Sequence, residues 1–179
     1  MSESTPTHPE RLEKWADHLR YEMDMLVRTS RFATEERDKY RRWAYLEAFL
    51  IHYRVLAEFL TVDENKKRKK VGEFDESDVT ATDFNPGWRC LVEFAEVDDI
   101  HKFVAHLTTR RSQRGRQWMV QEMTSTMLEA LGEFRTSLDH DIQHWVKVPE
   151  TPAYPTWSFP SVSTTESSPP TFYDFRQQT

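Results

Sequence analysis

The stretch LEAFLIHYRVLAEFL, residues 46–60, decides the fold. Its apolar residues recur at three- and four-residue steps instead of alternating, which is the period of a helix and not of a strand. Trp43, Leu46, Leu50, Tyr53, Ala57 and Leu60 form one row, and Tyr45, Phe49, Leu56 and Phe59 form a second beside it. At about 100° per residue the rows merge into a wide apolar arc, as expected of a central helix with several neighbours. Glu47, Arg54 and Glu58 fall on the remaining polar side, whereas His52 falls inside the arc. Thr34-Glu35-Glu36 offers a cap, so the spacing predicts a helix from about residue 34 to residue 60.

Before it, Thr7-His8-Pro9-Glu10 resembles a capping box, and Leu12, Trp15, Ala16, Leu19, Met23 and Leu26 mark an amphipathic helix to about Thr29. After it, residues 61–87 form the main break, with a basic run at 66–70, an acidic stretch at 73–83 and Asn85-Pro86-Gly87. A short helix is expected over residues 88–95. A third amphipathic stretch follows through Val97, Ile100, Phe103, Val104 and Leu107 to about Arg111, with a turn at Gly115. Val120, Met123, Met127, Leu131, Phe134, Leu138, Ile142 and Trp145 then keep the helical period, predicting one helix over residues 117–147. Its length would be roughly 45 Å. Gly132 inside it costs about 1 kcal/mol relative to alanine and is expected to mark a close helix crossing. Six prolines, five serines and six threonines fill residues 148–179, a composition that predicts a disordered tail. The expected architecture is all-α: an up-down bundle of four to five helices over residues 1–147, then the tail.

Of 179 residues, 37% are hydrophobic and 30% charged, and the formal charge is −6. No stretch approaches the ~18 apolar residues of a membrane span, and the N-terminus lacks a signal-peptide pattern, so a soluble, cytoplasmic protein is expected and no membrane partner. Cys90 alone offers neither an intrachain disulfide nor a cysteine-based zinc site. The acidic balance argues against a general nucleic-acid coat, while residues 66–70 and Arg110, Arg111, Arg114 and Arg116 leave room for a local phosphate-binding patch.

No phosphate-binding glycine loop, HExxH, paired CxxC or GxSxG is present, and no pattern calls for a cofactor. His106 is the main candidate. Lys102 and Arg110 lie four residues to either side, so on a helix the three share a face. A neutral imidazole there could take the proton of a ribose 2′-hydroxyl while Lys102, Arg110 or Arg111 neutralises the phosphate, giving RNA cleavage without a metal. His52 reads as a hydrogen bond between helices, and Arg54 with Glu47 and Glu58 reads as an ion-pair row. His140 and His144 have chelating spacing but no evident third ligand, so no metal site is assigned.

Three segments, residues 46–60, Asp78-Val79-Thr80-Ala81-Thr82-Asp83-Phe84 with Trp88, and Ala105-His106-Leu107-Thr108, together resemble the HEPN superfamily over about residues 40–134. The chain looks most like an uncharacterised bacterial branch of that superfamily and not like a named toxin. The resemblance implies an up-down helical bundle, frequent dimers and, in active members, an arginine and a histidine meeting across the dimer interface. The superfamily's nuclease motif is an arginine, four to six residues, then a histidine. His106 matches its second half, but Asp99, Ile100 and His101 stand where the arginine belongs. Arg110 or Arg111 would have to supply the cation from the other side, or Arg54 from the second helix. The sequence therefore favours a non-catalytic, dimeric HEPN-like interaction module. The alternative is an endoribonuclease with His106 as base, Arg110 beside it, and Lys102, Arg111, Arg54 and His52 as binding residues. Expected partners are a second copy of the chain, a protein taken up by the aromatic tail, or RNA.

Overall fold

The computed structural model describes residues 8–61, 79–94, 97–104 and 118–154. Among the described residues the chain is all-α, with no strand. Its helices are α1 (His8–Glu35), α2 (Lys39–Thr61), α3 (Ala81–Phe84), α4 (Val97–Val104), α5 (Val120–Ser137) and α6 (His140–Gln143). None of them is long and apolar enough to cross a membrane.

The amphipathic stripe of α1 is buried as its spacing predicts, through Leu12, Ala16, Leu19, Met23 and Leu26. The helix runs a turn and a half beyond the expected end at Thr29 because its hydroxyls do not break it. Thr29 Oγ1 donates to the Met25 carbonyl at 2.6 Å and Ser30 Oγ to the Val27 carbonyl at 2.8 Å, which satisfies both groups inside the bundle. Thr34, expected to open the second helix, instead donates back to Ser30 and Arg31 in the last turn of α1. Asp38 caps α2, its carboxylate accepting the Arg41 amide at 2.9 Å.

Only residues 36–38 join α1 to α2, and the pairs that bridge them descend along one helix as they climb the other. Glu22 meets His52, and Phe32 meets Tyr45. The two helices are therefore antiparallel neighbours. α2 also packs against α3, α4 and α5, and α1 against α5, so α2 is the central helix that its wide arc foretold. Leu46, Phe49, Leu50, Tyr53, Leu56, Ala57, Phe59 and Leu60 are all buried.

The segment from Thr80 to Trp88 closes one end of the bundle. The Asp83 carboxylate accepts both the Thr80 amide at 2.8 Å and the Thr80 hydroxyl at 3.0 Å, which fixes the single turn of α3. Phe84 and Trp88 then meet Phe134 of α5 edge to face, with ring centroids 6.1 and 5.2 Å away, and Phe59 of α2 joins them at 5.3 Å. Trp88 Nε1 donates to the Leu60 carbonyl at 2.9 Å, supplying a partner for one of the carbonyls that the end of α2 leaves open. The short helix expected over residues 88–95 does not form, and residues 88–94 run without helix across this plug.

The single long helix expected over residues 117–147 is divided. α5 stops at Ser137, with Leu138 in extended conformation, and α6 adds one turn. The cause is local and tertiary at once. Thr136 Oγ1 and Ser137 Oγ bond back to Gly132 and Phe134, and Asn85 Nδ2 takes the Ser137 carbonyl at 2.9 Å, where a longer helix would need it. Leu138 and Val146 are buried all the same, because the turn keeps them on the core side. Gly132 marks no close crossing, since a Cβ built there meets nothing within 4 Å. Residues 148–154, expected to belong to the tail, run without helix or strand, with Val148 against the core and the Tyr154 hydroxyl 2.9 Å from that of Ser30. Residues 155–179 lie outside the described residues.

Candidate functional site

α2 carries two of the candidate polar residues, and packing gives each a partner. His52 lies at the α1–α2 groove, its side chain 12% exposed, with Nδ1 2.7 Å from Glu22 Oε2. Tyr21 stands edge-on to the imidazole at 6.0 Å. One ring nitrogen is thus engaged in a hydrogen bond between helices, as the sequence reading of His52 had it. Arg54, two residues on and about 200° around the helix on its polar side, donates Nε to Glu58 at 2.9 Å along the helix. This is the expected i, i+4 pair, and both side chains are about a quarter exposed.

Lys102 lies on α4 with its side chain exposed. His106, Arg110 and Arg111, the catalytic base and its companion cations in the nuclease reading, lie outside the described residues, as do the basic clusters at 66–70 and 110–116.

Two other chemical features lie in the described part. Burial raises the pKa of the Cys90 thiol above its ordinary value; a backbone hydrogen bond from Val92 works against that, and the Glu133 charge adds to it. A thiol held neutral in this way is a weak nucleophile. At the α5–α6 corner, Arg135, His140, Asp141, Gln143 and His144 line an open notch of about 390 Å³. Among the described residues no three His, Cys, Asp or Glu side chains gather closely enough to hold a metal ion, and the Arg135 guanidinium in this notch would repel one.

Sequence reasoning passed over the outer side of α2. Ile51 and Val55 are 48% and 41% exposed, and with Ala44 and Ala48 they form a stripe opposite the buried arc. Tyr40, the most exposed aromatic of the helix, extends the stripe toward its N-terminus. The signal was present in the spacing. Steps of four, three and four residues separate Ala44, Ala48, Ile51 and Val55, which is the seam of a helix that packs against another helix. The stripe was hidden because two stronger rows on the same helix already accounted for a core. On one flank it is bordered by Glu47, Arg54 and Glu58, and on the other Tyr21 and Phe32 of α1 stand 55% and 45% exposed. An apolar centre with aromatic and charged borders has the anatomy of a protein interface. No protein-family model, curated protein or solved structure matches this chain.

Proposed function

We propose that this protein is a HEPN-like helical interaction module that works as a dimer and has no catalysis of its own. The observation that carries the reading is the outer stripe of α2. A helix that spends one side on α1, α4 and α5 holds a second, exposed apolar seam on the other. Contiguous exposed apolar surface on a small domain marks a contact surface more often than a catalytic one. The engagement of His52 by Glu22 and of Arg54 by Glu58 supports the non-catalytic half of the proposal, since both residues have structural work.

The test has two arms. Light scattering on the wild-type protein at micromolar concentration is expected to give twice the chain mass, and Ile51→Glu to give the monomer with a change in folding stability on the order of 0.5 kcal/mol, as befits an exposed position. In parallel, mixed RNA is incubated with the protein in EDTA. Cleavage by wild type and not by His106→Ala would establish the endoribonuclease instead, with 2′,3′-cyclic phosphate ends as its product signature.

A further inference from the structure

The stripe on α2 is not uniform along its length. Its N-terminal half holds the small residues Ala44 and Ala48, and its C-terminal half holds the large residues Ile51 and Val55. A surface with small residues at one end and large ones at the other is complementary to itself only when reversed. From this we infer that two copies of the chain pair through α2 in antiparallel orientation, about a two-fold axis that passes between the two helices at a level midway between Phe49 and Leu50.

That pairing sets Ala44 against the partner's Val55 and Ala48 against the partner's Ile51, so each branched side chain meets an alanine. Small facing large keeps the helices evenly spaced and fills the seam without voids. A parallel pairing would set alanine on alanine at one end and branched residue on branched residue at the other, opening the first and crowding the second.

Charge agrees with shape. Glu47 and Arg54 are seven residues apart on the same border of the stripe. In an antiparallel pair the same borders face one another, and the axis brings Glu47 within about two residues of rise, ~3 Å, of the partner's Arg54. Symmetry makes this contact twice, with opposite charges each time. The Arg54–Glu58 bond is compatible with it, since a guanidinium has five donors. The exposed aromatics of α1 follow the same logic. Tyr21 lies beside the C-terminal half of α2, next to His52, and Phe32 beside the N-terminal half, next to Tyr45. Reversal brings the Tyr21 shoulder of one copy toward the Phe32 shoulder of the other, which widens the contact beyond one helix pair.

The inference rests on the dimeric reading above, and disulfide trapping separates the two. Both chains carry Cys90→Ser; one also carries Ala44→Cys, the other Val55→Cys, and the two differ in mass by a tag. All three positions are exposed or half-buried, so far-UV circular dichroism is expected to match wild type. In the antiparallel dimer, position 44 lies level with the partner's position 55 and about 16 Å along the axis from the partner's position 44. A disulfide needs Cα atoms within roughly 7 Å. Mild oxidation of the mixture is therefore expected to give the mixed dimer at ten times or more the yield of either chain oxidised alone. Equal trapping within each chain alone would overturn the orientation in favour of parallel pairing. Absence of trapping in a protein that light scattering finds dimeric would overturn the α2 interface but leave the dimer standing. A monomer by light scattering would remove both.

Discussion

Trp88 shows how much one side chain can carry in a domain of this size. Its ring fills the space beside Phe134 and its indole N–H reaches the Leu60 carbonyl at 2.9 Å, so packing and helix termination depend on one residue that lies far from α2 in sequence. Trp88→Phe keeps most of the ring and removes the donor. The carbonyl is then left buried without that donor, and the variant is expected to lose about 1–3 kcal/mol in urea unfolding with little change in the slope of the transition. The candidate polar residues differ in how far the sequence revealed them. That His52 would bond between helices followed from its place inside an apolar arc, where an imidazole needs a partner. That the partner is Glu22 did not follow, because the pairing depends on the register of α1 against α2. The Arg54–Glu58 pair was legible in full, since i, i+4 spacing alone brings the two side chains together.

At the scale of elements, the interiors of the helices were legible and their ends were not. The stripe of α1, both rows of α2 and the period of α5 follow from burial, which repeats every 3.6 residues and is written along the sequence. The ends depend on single hydrogen bonds. Thr29 and Ser30 look like helix breakers until their hydroxyls find carbonyls one turn back, and Ser137 looks like a helix interior until Asn85, fifty-two residues away, takes its carbonyl. Gly132 is a related case. A glycine inside a helical run suggests a close crossing, yet the space around it is open and its backbone is helical. Gly132→Ala should therefore add stability, by up to about 1 kcal/mol, through the lower entropy of the unfolded chain and the better helix propensity of alanine. A rise in the urea midpoint checks it. A fall would mean that the position serves a contact formed outside the described residues.

At the scale of the whole molecule, the fold is a central α2 clasped by α1, α4 and α5, closed at one end by the Thr80 to Trp88 plug and bordered by residues 146–154. The composition of residues 148–154, with two prolines and a threonine, pointed away from order, but Val148 against the core and Tyr154 against Ser30 outweigh it. Chains ending at Tyr154 and at Lys147 isolate that segment. The shorter chain is expected to be less stable by about 1–2 kcal/mol, from the lost burial of Val148 and the lost hydroxyl contact, and thermal melts of the two side by side measure it.

The contact between Ser30 and Tyr154 also has a consequence in time. The two residues are 124 apart in the chain, whereas α1 and α2 are joined by a three-residue link. During synthesis the α1–α2 hairpin leaves the ribosome as a local unit, with short loops to close and its apolar arc already present. Its groove beside Ser30 stays open to solvent until nearly the whole domain has been made. Between those two moments the nascent chain exposes both faces of α2, one destined for α4 and α5 and the other, in the proposed dimer, for a second copy. If the proposed dimer forms, the order of manufacture sets a competition on a single helix, in which the inner partners arrive on the same chain and the outer one must wait for a finished neighbour.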